Sequence, residues 1–199
     1  TMKRMLGFAP KRSIPLLYKY TLTAWMRRNL PEINPKGGST GKVCLFVDEF
    51  TEYNDTEIGI RAVELLTRLG YEVHLADHRD SGRTFLSKGL VRKAKALANY
   101  NVKALKDVVS ENMPLIGIEP SGILTFRDEY PELVDRALVA DAKKLARHAL
   151  MFDEFMEREI KAGRIDKSRF TSEKKKIRLH GHCHQKSLAS TASTKYMLS

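Results

Sequence analysis

The residues best suited to chemistry in this sequence lie close together near its C-terminus. His180, His182, Cys183 and His184 fall within five positions. Neutral imidazoles and a thiolate are ligands of zinc, iron and copper, so this cluster predicts a role at a soft or borderline metal. In an extended chain the three histidines share one side and Cys183 points to the other, so four ligands to one ion would require a bend. A histidine-rich turn that hydrogen-bonds helix ends is the alternative interpretation.

A second candidate site is formed by Arg79, Ser81, Gly82 and Arg83. Glycine lets the backbone approach a ligand closely and the two arginines supply positive charge, so these residues are candidates for a small-anion site. The run lacks the complete glycine pattern of a phosphate-binding loop. A surface turn closed by a salt bridge is the competing interpretation.

The elements that must position these residues alternate between strand and helix patterns. Strand, helix and strand in succession are typical of a three-layer α/β fold with a mainly parallel sheet, flanking helices and right-handed crossovers, like the repeat unit of a Rossmann-type fold. Residues 48–53 are predicted to be a polar loop. Apolar runs predict strands at 43–47, 71–75 and 115–118, and helical spacing predicts helices in the segments after them and at 153–163.

Loops that follow the carboxyl ends of parallel strands share one crevice. The loops that carry Glu49, residues 78–83, Glu119 with Gly122, and residues 180–184 are all polar or rich in metal ligands. We therefore expect one functional site at this edge of the sheet. Glu49 and Glu119 are candidates for a carboxylate pair, although the sequence does not fix their separation.

Positive charge is concentrated at the two ends of the 199-residue chain. The net charge is +8 over residues 1–42, −3 over 43–164 and +6 over 165–199. Residues 1–30 are interpreted as a basic helical arm, with a Pro/Gly-rich break at 31–41. The charge forms no basic stripe with interleaved aromatics, which argues against nucleic-acid binding. The arm instead suggests peripheral membrane association or an acidic protein partner.

Cysteine content and hydropathy set further limits. Two cysteines exclude a disulfide framework, and Cys44 lies in an apolar run where a reduced core thiol is expected. No apolar run approaches the ~18 residues of a membrane span. The expectation is a cytoplasmic protein.

A weak internal repeat divides the chain. Residues 42–50 align with residues 176–184, each a basic residue, a short β run and a polar loop. The division is then 1–41 for the basic helical arm and linker, 42–175 for a first repeat, and 176–199 for the start of a second repeat that is cut short. Such a fragment is expected to be inactive alone.

Five motifs stand out when the chain is taken as a whole: FVDEFTEYN at 46–54, SGRTFLSKG at 81–89, EPSG at 119–122, RDEYP at 127–131 and HGHCHQK at 180–186. Together they resemble the cysteine-rich "CCG" domain of iron–sulfur oxidoreductases, in particular the iron–sulfur part of FAD-linked oxidases of 2-hydroxy acids and the iron–sulfur subunit of anaerobic glycerol-3-phosphate dehydrogenase.

This resemblance implies a lone Cys, a Cys-Cys-Gly and a later Cys in each repeat, and the first repeat departs from that pattern. The ligand positions fall on Glu49, on residues 80–82 and near Gly122, so Asp80 and Ser81 stand where the family has cysteines. In the second repeat Cys183 matches the lone cysteine, with His182 and His184 as neighbours that tune a cluster. Its companion cysteines would lie beyond Ser199, so no cluster is expected in this chain alone.

The implied function is electron transfer during oxidation of lactate, glycolate or glycerol 3-phosphate. A [4Fe-4S] cluster would belong to the full-length protein and FAD to a separate domain or subunit, and the implied partners are that FAD-binding oxidase domain and a ferredoxin-like iron–sulfur domain. Two alternatives remain open. One is a zinc-dependent enzyme that uses His180, His182, Cys183 and Glu49, and the other is a non-catalytic interaction module that docks through the basic arm.

Overall fold

Four parallel strands form the sheet that organises the chain. A computed structural model describes residues 2–9, 11–13, 15–35 and 39–199. The strands are β1 (Gly41–Phe46), β2 (Tyr71–Leu75), β3 (Leu115–Gly117) and β4 (Ala149–Met151), in the spatial order β2-β1-β3-β4. The predicted α/β class with a parallel sheet is therefore confirmed. Strand β4 was not predicted, because its three residues continue the apolar pattern of the helix before it.

Helices cover both faces of the sheet. No helix in the described ranges is long and apolar enough to cross a membrane. Short 3-10 turns lie at Arg136–Leu138 and Lys167–Arg169. The helices are α1 (Met2–Met5), α2 (Leu22–Ile33), α3 (Glu49–Tyr53), α4 (Thr56–Arg68), α5 (Arg83–Leu86), α6 (Val91–Leu105), α7 (Pro120–Thr125), α8 (Tyr130–Leu133), α9 (Val139–His148), α10 (Phe152–Lys161), α11 (Cys183–Leu188) and α12 (Ala192–Leu198).

The unbroken apolar run of β1 reflects burial on both faces of the sheet. Cys44 and Phe46 belong to one core cluster, whereas Val43 and Leu45 belong to the other. Side chains alternate between the faces of a strand, so both faces must be apolar when helices cover both. The Cys44 thiol is fully buried, as predicted, and burial raises its pKa to about 12.

The prediction of a polar loop at residues 48–53 is wrong, because Glu49–Tyr53 form α3. The Asp48 carboxylate caps this helix by accepting hydrogen bonds from the N–H groups of Phe50 at 2.8 Å and Thr51 at 3.0 Å. These donors have no partner inside the helix, so an N-cap aspartate stabilises even one turn. The turn places Glu49 directly after the carboxyl end of β1.

Part of the predicted basic arm belongs to the core. In α2, Leu22 and Met26 are fully buried and pack with the cluster on one face of the sheet. Gly59 of α4 permits this approach, since a Cβ there would lie 2.3 Å from Leu22 Cδ2. The helix continues through Pro31, where a break was predicted, and residues 36–38 of that break lie outside the described ranges.

The rest of the described arm is helical only in α1. The described residues between α1 and α2 have no regular helix, and Leu16 and Leu17 are 82% and 76% exposed. These side chains make no core of their own, which explains why the segment does not stay helical. Membrane association through the arm stays a prediction.

The strand predicted at the start of the second repeat is also wrong. Residues 171–182 have no regular secondary structure, and Ile177 and Leu179 are exposed. A β run becomes a strand only by pairing with a neighbouring strand, and none pairs with this segment. The helix-compatible part does form α11. The division into repeats stays a prediction.

Replacement of Leu22 by Ala tests whether α2 is part of the folded core. We expect the free energy of unfolding to fall by about 2–5 kcal/mol, because the substitution leaves a cavity between α2 and α4. Urea denaturation followed by circular dichroism measures the change. Leu17→Ala, on the exposed side of the arm, is the matched control and is expected to be neutral. Equal unfolding midpoints for the two variants would show that α2 is not docked.

Candidate functional site

Loops from different parts of the sequence meet at the carboxyl ends of β1 and β3. Glu49 Oε1 accepts a hydrogen bond from Ser81 Oγ at 2.9 Å, which joins the loop after β1 to the loop after β2. Glu119 Oε1 lies 3.7 Å from His182 Nε2, which joins the loop after β3 to the histidine cluster. The parallel register of β1, β2 and β3 brings the loops after these strands to one edge, as the sequence predicted, whereas the histidine cluster follows a segment without regular structure.

Asp48 and Glu49 are the two carboxylates closest to the end of β1, and both are shielded from water. Asp48 is almost fully buried, and besides capping α3 it accepts a hydrogen bond from Thr51 Oγ1 at 2.7 Å. Burial raises the pKa of both carboxyls above the ordinary value, and the hydrogen bonds oppose that rise. The nearby Glu119 charge raises the Asp48 pKa further, and Asp80 and Asp48 do the same for Glu49.

A buried amide and a buried phenol hold the loop that carries Ser81. Asn101 donates to the carbonyls of Arg79 and Asp80, both at 3.1 Å, and accepts from the Arg79 N–H at 2.8 Å. Tyr130 donates its hydroxyl proton to the Ser81 carbonyl at 2.9 Å and accepts from Asn101 at 2.8 Å. Sequence reasoning missed both residues. The signal available was an asparagine within the apolar stripe of the helix now seen as α6.

His78, at the end of the loop after β2, supports β1 from the side. Its Nε2 accepts a hydrogen bond from the Val47 N–H at 3.1 Å, and its Nδ1 lies 3.2 Å from the Arg79 carbonyl. Both contacts require the neutral ring with its proton on Nδ1. Burial lowers the pKa of this imidazole, which keeps the neutral form.

Three of the four residues proposed for an anion, Arg79, Ser81 and Arg83, already have partners within the protein. The Arg83 guanidinium pairs with the Glu129 carboxylate, and the Arg79 guanidinium stacks on the Tyr100 ring at 4.2 Å. The Ser81 hydroxyl is directed to Glu49. Gly82 is the N-cap residue before α5 and has φ +80°, a left-handed conformation that favours glycine. Anion binding here would require these pairs to open, and it stays a prediction.

The two carboxylates proposed as a pair, Glu49 and Glu119, each have hydrogen-bond partners of their own, and their pairing stays a prediction. Glu119 Oε2 accepts hydrogen bonds from Ser121 Oγ at 2.7 Å and from the Gly122 N–H at 2.5 Å, which caps α7. Its other oxygen faces His182, whereas Glu49 is held by Ser81. The two glutamates therefore serve different neighbours.

The C-terminal cluster is a compact group of three side chains. The ligand atoms of His182, Cys183 and His184 lie within 4.8 Å of one another. Cys183 Sγ is 4.0 Å from His182 Nδ1 and 3.7 Å from His184 Nδ1, and the two rings stack with centroids 5.6 Å apart. His180 is exposed and does not belong to this group. The bend that the sequence required is the change from extended backbone at His182 to helix at Cys183.

Two anchors fix the cluster against the rest of the protein. Gln185, buried in α11, donates to Asp153 Oδ2 at 2.8 Å and to Thr194 Oγ1 at 2.9 Å. Gly181 packs so closely on Thr191 that a Cβ there would lie 2.4 Å from its Cγ2. The Cys183 thiol between these anchors remains exposed.

The chain is similar to bacterial D-2-hydroxyglutarate dehydrogenases. It is 28% identical over 119 residues to the enzyme of Pantoea ananatis, which covers 60% of this chain and 12% of that protein. The identity is 30% over 91 residues for Pseudomonas putida, covering 46% and 9%, and 28% over 88 residues for Escherichia coli, covering 44% and 9%. The chain therefore spans about a tenth of the length of the curated relatives it matches. No family model and no solved structure matches it.

The half-buried Glu49 carboxyl gives a testable pH dependence. A carboxyl whose pKa is raised by folding favours the folded state while protonated, and that contribution is lost as pH rises through the raised pKa. Glu49→Gln should therefore match the parent near pH 4 and be more stable than it at pH 7, since Gln can still accept from Ser81. Urea unfolding at the two pH values measures this.

Glu132→Gln, which changes an exposed carboxylate of α8, is the matched control and should shift stability equally at both pH values. A Glu49→Gln variant that is less stable than the parent at pH 7 would show that the ionised carboxylate stabilises the loop.

Proposed function

We propose that this chain is part of an oxidoreductase that acts on a 2-hydroxy acid, and that Cys183 supplies one thiolate ligand to an iron–sulfur cluster of that enzyme. The observation that carries the proposal is an exposed cysteine placed at the common edge of the strand-end loops. The similarity to D-2-hydroxyglutarate dehydrogenases supports the reaction class.

The names of these relatives narrow the substrate class that we propose. Lactate, glycolate and glycerol 3-phosphate were the substrates expected from the resemblance. The relatives are named for D-2-hydroxyglutarate, a 2-hydroxy acid with a second carboxylate. We therefore place substrate oxidation on a flavin domain that prefers a 2-hydroxy dicarboxylate, outside this sequence.

The residues present fit one position in an iron–sulfur site. Cys183 is accessible, and the neighbouring His182 and His184 rings are placed to tune a cluster by hydrogen bonds and charge. Cys44 is buried within β1 and cannot reach the same centre. The remaining thiolates must come from residues outside this sequence.

When bound, such a cluster supplies one-electron transfer, which lets a flavin pass on the two electrons of a hydroxy-acid oxidation. The work of this chain is to hold the thiol. Gln185 and Asp153 fix α11, and Glu119 faces the His182 ring next to Cys183. A rigid support of this kind keeps the geometry around a ligand constant between redox states.

We assign a structural role to the first repeat, where oxygen side chains stand in the ligand positions. Glu49 and Ser81 hydrogen-bond each other, and a Cβ at Gly122 would lie 3.3 Å from the Asp48 Cβ. These residues fill the space between the loops, and none of them offers a thiolate ligand. The contacts support an arrangement in which the first site positions the loops and the second carries the redox group.

Replacement of Cys183 by Ser in the full polypeptide that contains this sequence tests the proposal. After anaerobic purification, we expect the electron paramagnetic resonance signal of one cluster to disappear. Reduction of the flavin by D-2-hydroxyglutarate should persist, while electron delivery to an artificial one-electron acceptor should fall by about tenfold or more.

His180→Ala is the matched control, since it removes an exposed imidazole three residues away and should leave the signal intact. An unchanged cluster signal in Cys183→Ser would contradict the ligand assignment. If another 2-hydroxy acid reduces the flavin and D-2-hydroxyglutarate does not, only the proposed substrate class is contradicted.

A further inference from the structure

We propose that His182, Cys183 and His184 by themselves form a mononuclear site for a borderline-soft divalent cation of the Zn²⁺ class, with Glu119 orienting the His182 ring. The site belongs to this chain alone and requires no cysteine outside it. It does not rest on the electron-transfer proposal, although it uses the same thiol.

The distances between the side chains suit a single small ion. Zinc bonds of about 2.3 Å to sulfur and 2.0–2.1 Å to nitrogen give ligand atoms about 3.5 Å apart in a tetrahedron. Cys183 Sγ lies 3.7 Å from His184 Nδ1 and 4.0 Å from His182 Nδ1. Shifts of a few tenths of an ångström bring Sγ to ligand spacing from both nitrogens, and rotation of the exposed Cys183 side chain provides them.

The contacts of His182 give its ring the tautomer that ligation through Nδ1 needs. His182 Nδ1 accepts the His184 N–H at 3.3 Å, so the ring proton resides on Nε2. Because Nδ1 has a single lone pair, a metal ion bound there takes the place of this capping hydrogen bond. Nε2 faces the Glu119 carboxylate at 3.7 Å. A carboxylate behind the distal nitrogen of a ligating histidine is the usual arrangement at zinc sites, where it fixes the ring and increases its basicity.

The donor set determines the class of ion. A thiolate and two imidazoles favour Zn²⁺, Co²⁺ and similar cations over Mg²⁺ and Ca²⁺, which prefer oxygen ligands. Three protein ligands leave one tetrahedral position for water or an external group. Neither His180 nor Glu49 contributes, since His180 lies outside the cluster and Glu49 is held by Ser81.

The anchoring of α11 makes the site persistent. Gln185 ties the helix to Asp153 and Thr194, and Gly181 seats the preceding turn on Thr191. The three ligands are already held close together, so metal binding loses less conformational entropy than it would on an unanchored segment. A Zn²⁺ ion bound here would occupy the Cys183 thiolate and compete with assembly of a cluster on it.

Titration of the apo chain with Co²⁺ under reducing conditions tests the site. We expect one equivalent to bind with a dissociation constant below about 100 µM, with a thiolate-to-cobalt charge-transfer band in the near ultraviolet and d–d bands of a four-coordinate ion. Zn²⁺ should displace the Co²⁺ spectrum, and Mg²⁺ should not.

The variants separate the ligands from their surroundings. Cys183→Ser should abolish the charge-transfer band, and His182→Asn, which keeps a good N-cap residue for α11, should weaken binding at least about tenfold. Glu119→Gln should weaken binding about tenfold while leaving the d–d spectrum unchanged, as expected of a positioning residue. His180→Ala, the matched control, should bind as the parent does.

Several results would overturn the proposal. These are a charge-transfer band that survives in Cys183→Ser, equal losses in His180→Ala and His182→Asn, an octahedral spectrum without sulfur, or no binding in the stated range. Each would leave the cluster proposal standing, because that proposal is tested by a paramagnetic signal in the full polypeptide. Conversely, a cluster signal that persists in the Cys183→Ser full polypeptide would contradict the cluster proposal only, and Co²⁺ binding to this chain would still be expected.

Discussion

Parallel pairing of β1 with β2 on one side and with β3 on the other is the constraint on which the site depends. The register sets Cys44 opposite both His74 and Leu115, so the three strands run side by side and end at one edge. The loops after them can then meet only there. A central strand that is covered on both faces has apolar side chains on both, so polar side chains able to take part in a reaction lie in the loop after the strand.

Burial at that edge is offset by local hydrogen bonds. Asp48 and Glu49 follow the buried end of β1, and loss of water disfavours their charged forms. Hydrogen bonds from the α3 N–H groups to Asp48 and from the Ser81 hydroxyl to Glu49 replace part of the stabilisation that water gives these carboxylates. Asn101 and Tyr130 then fix the backbone of the Ser81 loop, so the packing of α6 controls the position of a polar group about twenty residues earlier in sequence.

The C-terminal cluster depends on a different set of contacts. It follows a segment without regular structure, so its position is not inherited from a strand. Instead α11 lies against α7, and the buried Gln185–Asp153 hydrogen bond ties it to the start of α10. This arrangement brings Cys183 next to the strand-end loops while leaving its thiol in solvent, which is the combination that both metal proposals require.

The sequence by itself determined the α/β class, the first three strands, the burial of Cys44 and the segments after those strands that contribute to the site. These features follow from local apolar runs and helical spacing, which depend on neighbouring residues only. It did not determine β4, α3, the docking of α2 or the failure of a strand at residues 176–179, because these depend on whether a distant segment is available for packing or pairing. Tertiary structure also decided the partners of each polar group: Glu49 with Ser81, Arg83 with Glu129, and Glu119 with His182. Such pairings join residues that are tens of positions apart, and only the folded chain brings them within hydrogen-bonding or ion-pair distance.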